Sequence, residues 1–282
     1  MTNNLYIPLT NRTLIAVSSD DARQFLQGLI TNDINKLSPS QAIYALMLTP
    51  QGKFLYDFFI YDYEGKILLD CNAAKLEEIK KKLSMYKLRS KVLIEDISGG
   101  YEVVALTSSS APHPGPIGHG VGIFAADPRS PALPARAIIK KPADYAALEN
   151  SGFSKGNISD YEKIRINLCI PSDADMEDSF PLEYQMDKHN AIDYQKGCYV
   201  GQEVTARTHY RGTARKKPFV ATAPEGVDLA GYFGQEITSN GAKIGKMQSS
   251  AGNTGIALIR VEDFEKATRG FEVGRVTLDL EP

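Results

Sequence analysis

Residues 42–71, AIYALMLTPQGKFLYDFFIYDYEGKILLDC, hold three apolar, aromatic-rich runs broken only at Pro50-Gln51-Gly52 and Glu64-Gly65. Short apolar runs bounded by turn residues read as strands, and breaks this short join antiparallel neighbours. The stretch therefore predicts an antiparallel meander, which needs cover on at least one face. The next segment, NAAKLEEIKKKLSMYKLRSKV, supplies it: Leu76, Ile79, Leu83 and Tyr86 recur at spacings of 3, 4 and 3, an amphipathic helix. Upstream, SSDDARQFLQG reads as a helix capped by Ser18 or Ser19, with Phe25, Leu26 and Leu29 on its buried side. VLIEDISGGYEVVAL reads as a hairpin turning at Gly99-Gly100. This alternation predicts an α+β sandwich with helices on one face of an antiparallel sheet.

TSSSAPHPGPIGHG, with Pro112, Pro114 and Pro116 at alternate positions, reads as a surface loop or mobile insertion, and a subdomain break is expected near 107–120. A second unit opens at GIFAADPR. It includes a helix at SDYEKIRINL, where Ser159 and Glu162 fit a capping box. After Arg215 the texture changes to short strands punctuated by Gly, Asn and Pro (PFVATA, GQEITS, AKIGKMQSS, TGIALIRV, RVTLDL), which predicts a small β-barrel. The expected domains are an α+β region over 1–212 and a barrel over 213–282.

The net charge of −2 gives no global attraction to a polyanion, so any such site must be a local patch. No apolar run approaches the ~20 residues needed to span a bilayer. The N-terminal MTNNLYIPLT has the layout of neither a signal nor a transit peptide, so the expectation is a cytoplasmic, bacterial-type protein. Cys71, Cys169 and Cys198 are far apart, and the four histidines form no ligand-like spacing; neither a structural zinc site nor disulfides are expected. The acids of SDADMED (Asp173, Asp175, Glu177, Asp178) lack the glycine and closing glutamate of a calcium loop and read as solvated.

Cys198 stands apart, in QKGCYVGQEVTAR. Nearby cations favour thiolate, and Lys196 shares a face with Cys198 if the segment is extended. Gly197 and Gly201 suit a turn that displays a side chain. Local chemistry alone leaves two readings open: a reactive thiol, or a cysteine tucked under a turn with Lys196 in solvent.

KGCYVGQEVTAR closely resembles the K-G-C-Y-x-G-Q-E signature of the YgfZ-type folate-binding proteins, relatives of the glycine-cleavage T-protein (GcvT). That family includes mitochondrial members that help build 4Fe–4S clusters, and TARTH resembles their branch. FLQGLITNDI, YALMLTPQGKFLYDFFIY, YKLRSKV, DPR at 127–129 and GKMQSS…GIALIRVE fall in the family's order, so the resemblance spans nearly the whole chain. It implies interlocked ferredoxin-like α+β units followed by a small C-terminal β-barrel, binding tetrahydrofolate. The implied function is assembly or repair of iron–sulfur clusters, with an indirect effect on tRNA modification. Partners would be iron–sulfur assembly proteins or client 4Fe–4S enzymes, with no direct nucleic-acid binding, no membrane and a monomeric state.

The resemblance also carries the site. Cys198 becomes the reactive or cluster-contacting thiol, with Lys196 biasing it toward thiolate. Glu183, in SFPLEYQMD, stands where T-protein relatives hold the pterin, and Asp57 matches the acid after the glycine turn. An unpartnered Asp57 would be costly to bury in so aromatic a strand, so it should be paired or face a pocket. Arg165 matches the arginine of an R-x-x-x-G-I-P-like segment, although Cys169 stands where the family has glycine. Arg207, Tyr199, Gln202 and Glu203 complete the folate or partner contacts, and Asn72 reads as a helix cap. Two rivals remain: an aminomethyltransferase of the glycine cleavage system, sharing fold and folate, and a tRNA-binding module using the basic-aromatic stretch around His209, Tyr210, Arg211, Arg215, Lys216 and Lys217.

Overall fold

The computed structural model describes residues 4–107, 121–142, 145–212, 214–266 and 270–282. The proline-rich 108–120 stretch lies outside the described residues. The chain forms two compact units. The first comprises Met1–Pro50, Leu55–Ile158 and His189–Gln202; the second comprises Gln51–Phe54, Ser159–Lys188 and Glu203–Pro282.

The first part of the chain contributes, in order, β1 (Leu5–Pro8), β2 (Arg12–Ser18), α1 (Ala22–Gln27), β3 (Ile43–Leu48), β4 (Phe54–Tyr63), β5 (Lys66–Asn72), α2 (Leu76–Lys87), β6 (Leu93–Asp96), β7 (Tyr101–Thr107), β8 (Val121–Ala125), β9 (Ala135–Lys140), α3 (Ala146–Asn150) and β10 (Ser154–Lys155). They build two five-stranded sheets, ordered β3-β4-β5-β2-β6 and β10-β1-β7-β9-β8. The expected meander is β3-β4-β5. Its second turn places Glu64 at φ 50° and Gly65 at φ 76°, the two left-handed positions that a tight hairpin requires. Helix α2 buries Ile79 and Leu83 and packs Leu76 and Tyr86 against the same core, as its spacing predicts. Asn72 caps the 3₁₀ turn Ala73–Lys75 that leads into α2, accepting from Ala74 N at 2.8 Å.

Three local expectations are corrected. β6 and β7 are not a hairpin: β6 pairs with β2, and β7 pairs with β1 and β9 in the other sheet. Neither Gly99 nor Gly100 adopts positive φ, so the turn a hairpin needs is absent, and long-range pairing takes both strands. Asp21 stands at the cap position of α1, with its carboxylate accepting from Lys91 N at 2.9 Å, while Ser19 Oγ accepts from Asp21 N at 3.2 Å, just ahead of the helix rather than within its first turn. The later helix α4 (Ile158–Asn167) begins ahead of Ser159, so the proposed capping box lies inside its first turn.

A buried ionic network joins the two sheets of the first unit. Arg12 donates to Asp57 (2.8 Å) and Asp70 (2.7 Å), while Arg136, from the second sheet, reaches Asp70 at 2.5 Å. Arg129 closes on Asp127 at 2.8 Å. The guanidinium carbons of Arg136, Arg129 and Arg12 lie 3.7, 4.6 and 5.2 Å from the centre of the Phe59 ring. Each buried charge has an opposite partner, without which its burial would be strongly unfavourable.

The second unit carries most of α4, then α5 (Gln202–Arg211), β11 (Lys216–Thr222), β12 (Glu236–Ser239), β13 (Ala242–Ala251), β14 (Thr254–Arg260), α6 (Val261–Lys266), β15 (Phe271–Val273) and β16 (Val276–Glu281). The six strands close as a barrel, β11-β14-β13-β12-β15-β16, around Phe219, Ile237, Met247, Ile259 and Leu278.

Candidate functional site

The loop around Cys198 belongs to a strap, residues 189–202, bound to the end of α1 and to Thr31–Asn32. Thr31 Oγ1 donates to Ala191 O at 2.6 Å, Asn32 Nδ2 to Asn190 O at 2.7 Å, and Asp193 N to Thr31 O at 3.0 Å. Asp193 accepts from Gln195 N and pairs with Lys36 at 2.8 Å. Burial pushes the Asp193 carboxyl up, but Lys36 and the Gln195 and Lys196 amides outweigh it and hold its pKa below the usual value.

Lys196 turns inward rather than toward its neighbour. Its ammonium donates to Gln27 O (2.8 Å), Ile30 O (2.5 Å) and Asn32 O (2.9 Å), gathering carbonyls where α1 ends. It also lies 5.0 Å from the Tyr199 ring centre. Burial pulls its pKa down to about 8, against the opposing pull of Asp33 and Asp193. Cys198, two residues on, is exposed, whereas Tyr199 is buried. The extended geometry that placed Lys196 and Cys198 side by side is thus corrected: one side chain anchors the loop and the other is displayed by it.

Asp57 is buried and fully partnered, by Arg12 on one oxygen and by Tyr44 Oη on the other at 3.2 Å. Tyr44 in turn lines a cavity of about 410 Å³ with Asn32, Lys36, Pro128, Asn190 and Ile192, all within the first unit. Asn32, Tyr44 and Pro128 lie in the family-like segments FLQGLITNDI, YALMLTPQGKFLYDFFIY and DPR, where nothing local marks them as lining a cavity.

In the second unit, Glu183 sits on a short 3₁₀ turn, Pro181–Tyr184, 3.4 Å from Lys216. Glu203 and Arg207 are exposed on α5, and Gln202 is half-buried at its start. Arg165 is buried and occupied: it donates to Glu162, to Ile170 O at 2.5 Å and to Ser249 Oγ at 2.9 Å, with Asp175 at 3.6 Å. Asp175, expected in solvent, is buried and accepts from the amide and hydroxyl of both Ser172 and Ser249. Isolated acids in a loop sequence read as solvated; here Ser172 lies within the same stretch, but Ser249, which completes the enclosure, comes from 74 positions away. Of the basic-aromatic stretch, Tyr210 is exposed, but Lys216 is paired with Glu183, and Lys217 lies over the Phe219 ring.

The two five-stranded sheets and closed barrel define the class. The GCVT N-terminal domain family matches residues 9–112, and the CAF17 C-terminal beta-barrel domain matches residues 215–282. The crystal structure of glycine cleavage system aminomethyltransferase T from Bartonella henselae shares the fold, with a TM-score of 0.78 over 100% of this chain and 86% of that one, at 15% identity. Iron-sulfur cluster assembly factor IBA57, mitochondrial, from Mus musculus is 33% identical over 90% of this chain and 77% of its own length. The Homo sapiens protein of the same name is 30% identical over 94% and 81%, and the Pyricularia oryzae homolog 34% over 91% and 72%. The chain belongs to this family of IBA57 iron–sulfur cluster assembly factors.

These names overturn the cytoplasmic expectation, since every one of these relatives is mitochondrial by name. Cellular address is carried by targeting segments rather than by the folded domain, so the domain's composition gave no sign of it.

Proposed function

We propose that this chain assembles or repairs iron–sulfur clusters, 4Fe–4S clusters above all, with Cys198 as the thiol that contacts the cluster or the protein receiving it. One observation carries the reading: of three cysteines, only Cys198 is exposed, on a loop braced from beneath by Lys196. Lys196 is a positioning residue here. The K-G-C-Y-x-G-Q-E segment supports a place in the YgfZ-like branch, and an effect on tRNA modification follows indirectly, through cluster-dependent enzymes.

Tetrahydrofolate is the proposed cofactor. The cavity beside Tyr44 falls within the roughly 300–1,000 Å³ range of small-molecule sites. Its walls combine the apolar surfaces of Ile43, Tyr44, Pro128 and Ile192 with the amides of Asn32 and Asn190, which suits a flat, polar heterocycle. Asp57 then acts behind the wall, fixing Tyr44. Glu183, Tyr199, Gln202, Glu203 and Arg207 remain candidates for folate or partner contact. Arg165 directs its N–H donors to Glu162, Ile170 and Ser249 of its own unit rather than to a ligand.

Complementation in cells lacking the protein tests the thiol. Cys198→Ser should melt within a few degrees of wild type yet fail to restore 4Fe–4S enzyme activity, while Cys169→Ser restores it. Full restoration by Cys198→Ser would refute the assignment. Calorimetry tests the cofactor: Glu183→Gln should weaken reduced-folate binding about tenfold, the loss of one charge-assisted hydrogen bond. Absence of wild-type binding at millimolar folate would refute it.

A further inference from the structure

The end of α2 and the edge strand β6 carry a feature that the cluster chemistry does not use. Met85, Leu88 and Leu93 are 63%, 89% and 53% exposed, side chains of a size normally covered. Leu88 projects from the end of α2 with φ 44° and ψ −108°, a conformation that is unfavourable for a side chain bearing Cβ. Around these three stand Lys81, Lys82, Lys87, Arg89 and Lys91, and residues 79–94 contain no acid at all.

The neighbouring carboxylates are already engaged. Glu77 and Asp96 pair with Lys80, Glu95 pairs with Lys66, Glu78 accepts from Tyr56, and Asp21 accepts from Lys91 N. Among the described residues, no carboxylate lies within ion-pair distance of the five surrounding cations. A chain of net charge −2 thus concentrates unpaired positive charge around a protruding apolar knob.

We propose that this patch docks on an anionic lipid surface, with Leu88, Met85 and Leu93 entering the headgroup boundary and the lysines and Arg89 meeting lipid phosphates. The chemistry favours a bilayer over the alternatives. A knob that protrudes suits a soft surface, whereas a folded partner would need a socket shaped to it. Four of the five cations are lysines, point charges suited to a diffuse anionic layer rather than to one bidentate group. An RNA site would display aromatic faces for stacking, and Tyr86, the only aromatic side chain in residues 79–94, packs against the core. The absence of a spanning segment does not bear on peripheral attachment, which needs only an apolar insertion and local charge.

Sedimentation of the full chain with vesicles tests this, using phosphatidylcholine alone and an equimolar mixture of phosphatidylcholine and phosphatidylglycerol. Wild type should sediment with the mixed vesicles, not with phosphatidylcholine, and high salt should release it. Leu88→Gly keeps a backbone that glycine adopts readily, so it should melt no lower than wild type while binding about tenfold more weakly. Replacing Lys87, Arg89 and Lys91 together by Gln should weaken binding about a hundredfold, at roughly fivefold per charge near an anionic surface. Failure of wild type to sediment with mixed vesicles overturns the proposal. So does binding that Leu88→Gly leaves unchanged, or binding to polyuridylate that equals binding to the mixed vesicles.

Discussion

Replacing Lys196 by methionine keeps the length and apolar stem of the side chain and removes only its donors. In the native protein the ammonium satisfies three carbonyls, those of Gln27, Ile30 and Asn32, at 2.5–2.9 Å. A hydrogen bond to a charged group contributes about 1.5–3 kcal/mol, but the three do not sum, because burying the ammonium opposes them; its pKa of about 8 reflects that burial. Leaving a buried carbonyl without a donor costs about 1–3 kcal/mol, and losing the buried charge offsets part of the sum over three, so we expect Lys196→Met to cost about 3 kcal/mol. At about 2–4 °C per kcal/mol for a chain approaching this size, the first unit should melt roughly 10 °C lower in scanning calorimetry. Lys196→Arg, which keeps the charge but not the compact trio of donors, should lie between the two. A Lys196→Met protein melting within about 2 °C of wild type would refute the argument that this lysine anchors the strap.

Cys169 occupies the left-handed region at φ 53°, after the end of α4. Glycine there removes a strain of about 1–2 kcal/mol and loses a partly buried thiol, so Cys169→Gly should range from neutral to about 1 kcal/mol more stable in urea unfolding, while Cys169→Val should be clearly destabilised. Asp193 has a folded pKa below its unfolded value, so its contribution is present above about 3.8 and is lost as pH falls through the depressed folded value. Asp193→Asn should therefore be less stable near neutrality and show a flatter loss of stability in acid.

Much of the frame was legible because it is written in local periodicity. The 3-4-3 spacing of Leu76, Ile79, Leu83 and Tyr86 fixes the buried side of α2, and Glu64-Gly65 fixes a turn, with no distant residue required. The glycine that Cys169 replaces in the family pattern also becomes intelligible, since the backbone there is left-handed. What sequence could not show is pairing between distant positions. β7 finds β1 and β9 rather than its neighbour β6, and Asp175 finds Ser249 across the second unit. Asp57 shows both sides of this. Its need for a partner follows from an aromatic-rich strand, but the identity of that partner, Arg12, is a property of the assembled five-stranded sheet.

Lys196 is the more instructive difference, because the sequence interval misled about cause rather than place. Two residues of separation suggested that the ammonium acts on the thiol, yet the strap sends Lys196 to the carbonyls at the end of α1. Selectivity among the three cysteines then rests on access. Burial pushes the Cys71 and Cys169 thiols up to about 12, with Asp175 adding to the rise at Cys169, so both are protonated near neutrality. Cys71 is enclosed within its sheet, and only Cys198 stands where a cluster or a partner's ligand could reach it. A rigid strap serves such a thiol better than a mobile one, since holding a ligand in place beforehand lowers the ordering cost of contact. Lys196 and Cys198 are thus coupled through the backbone between them: the lysine anchors the loop that displays the cysteine, and under the proposed function that cysteine is the loop's point of contact.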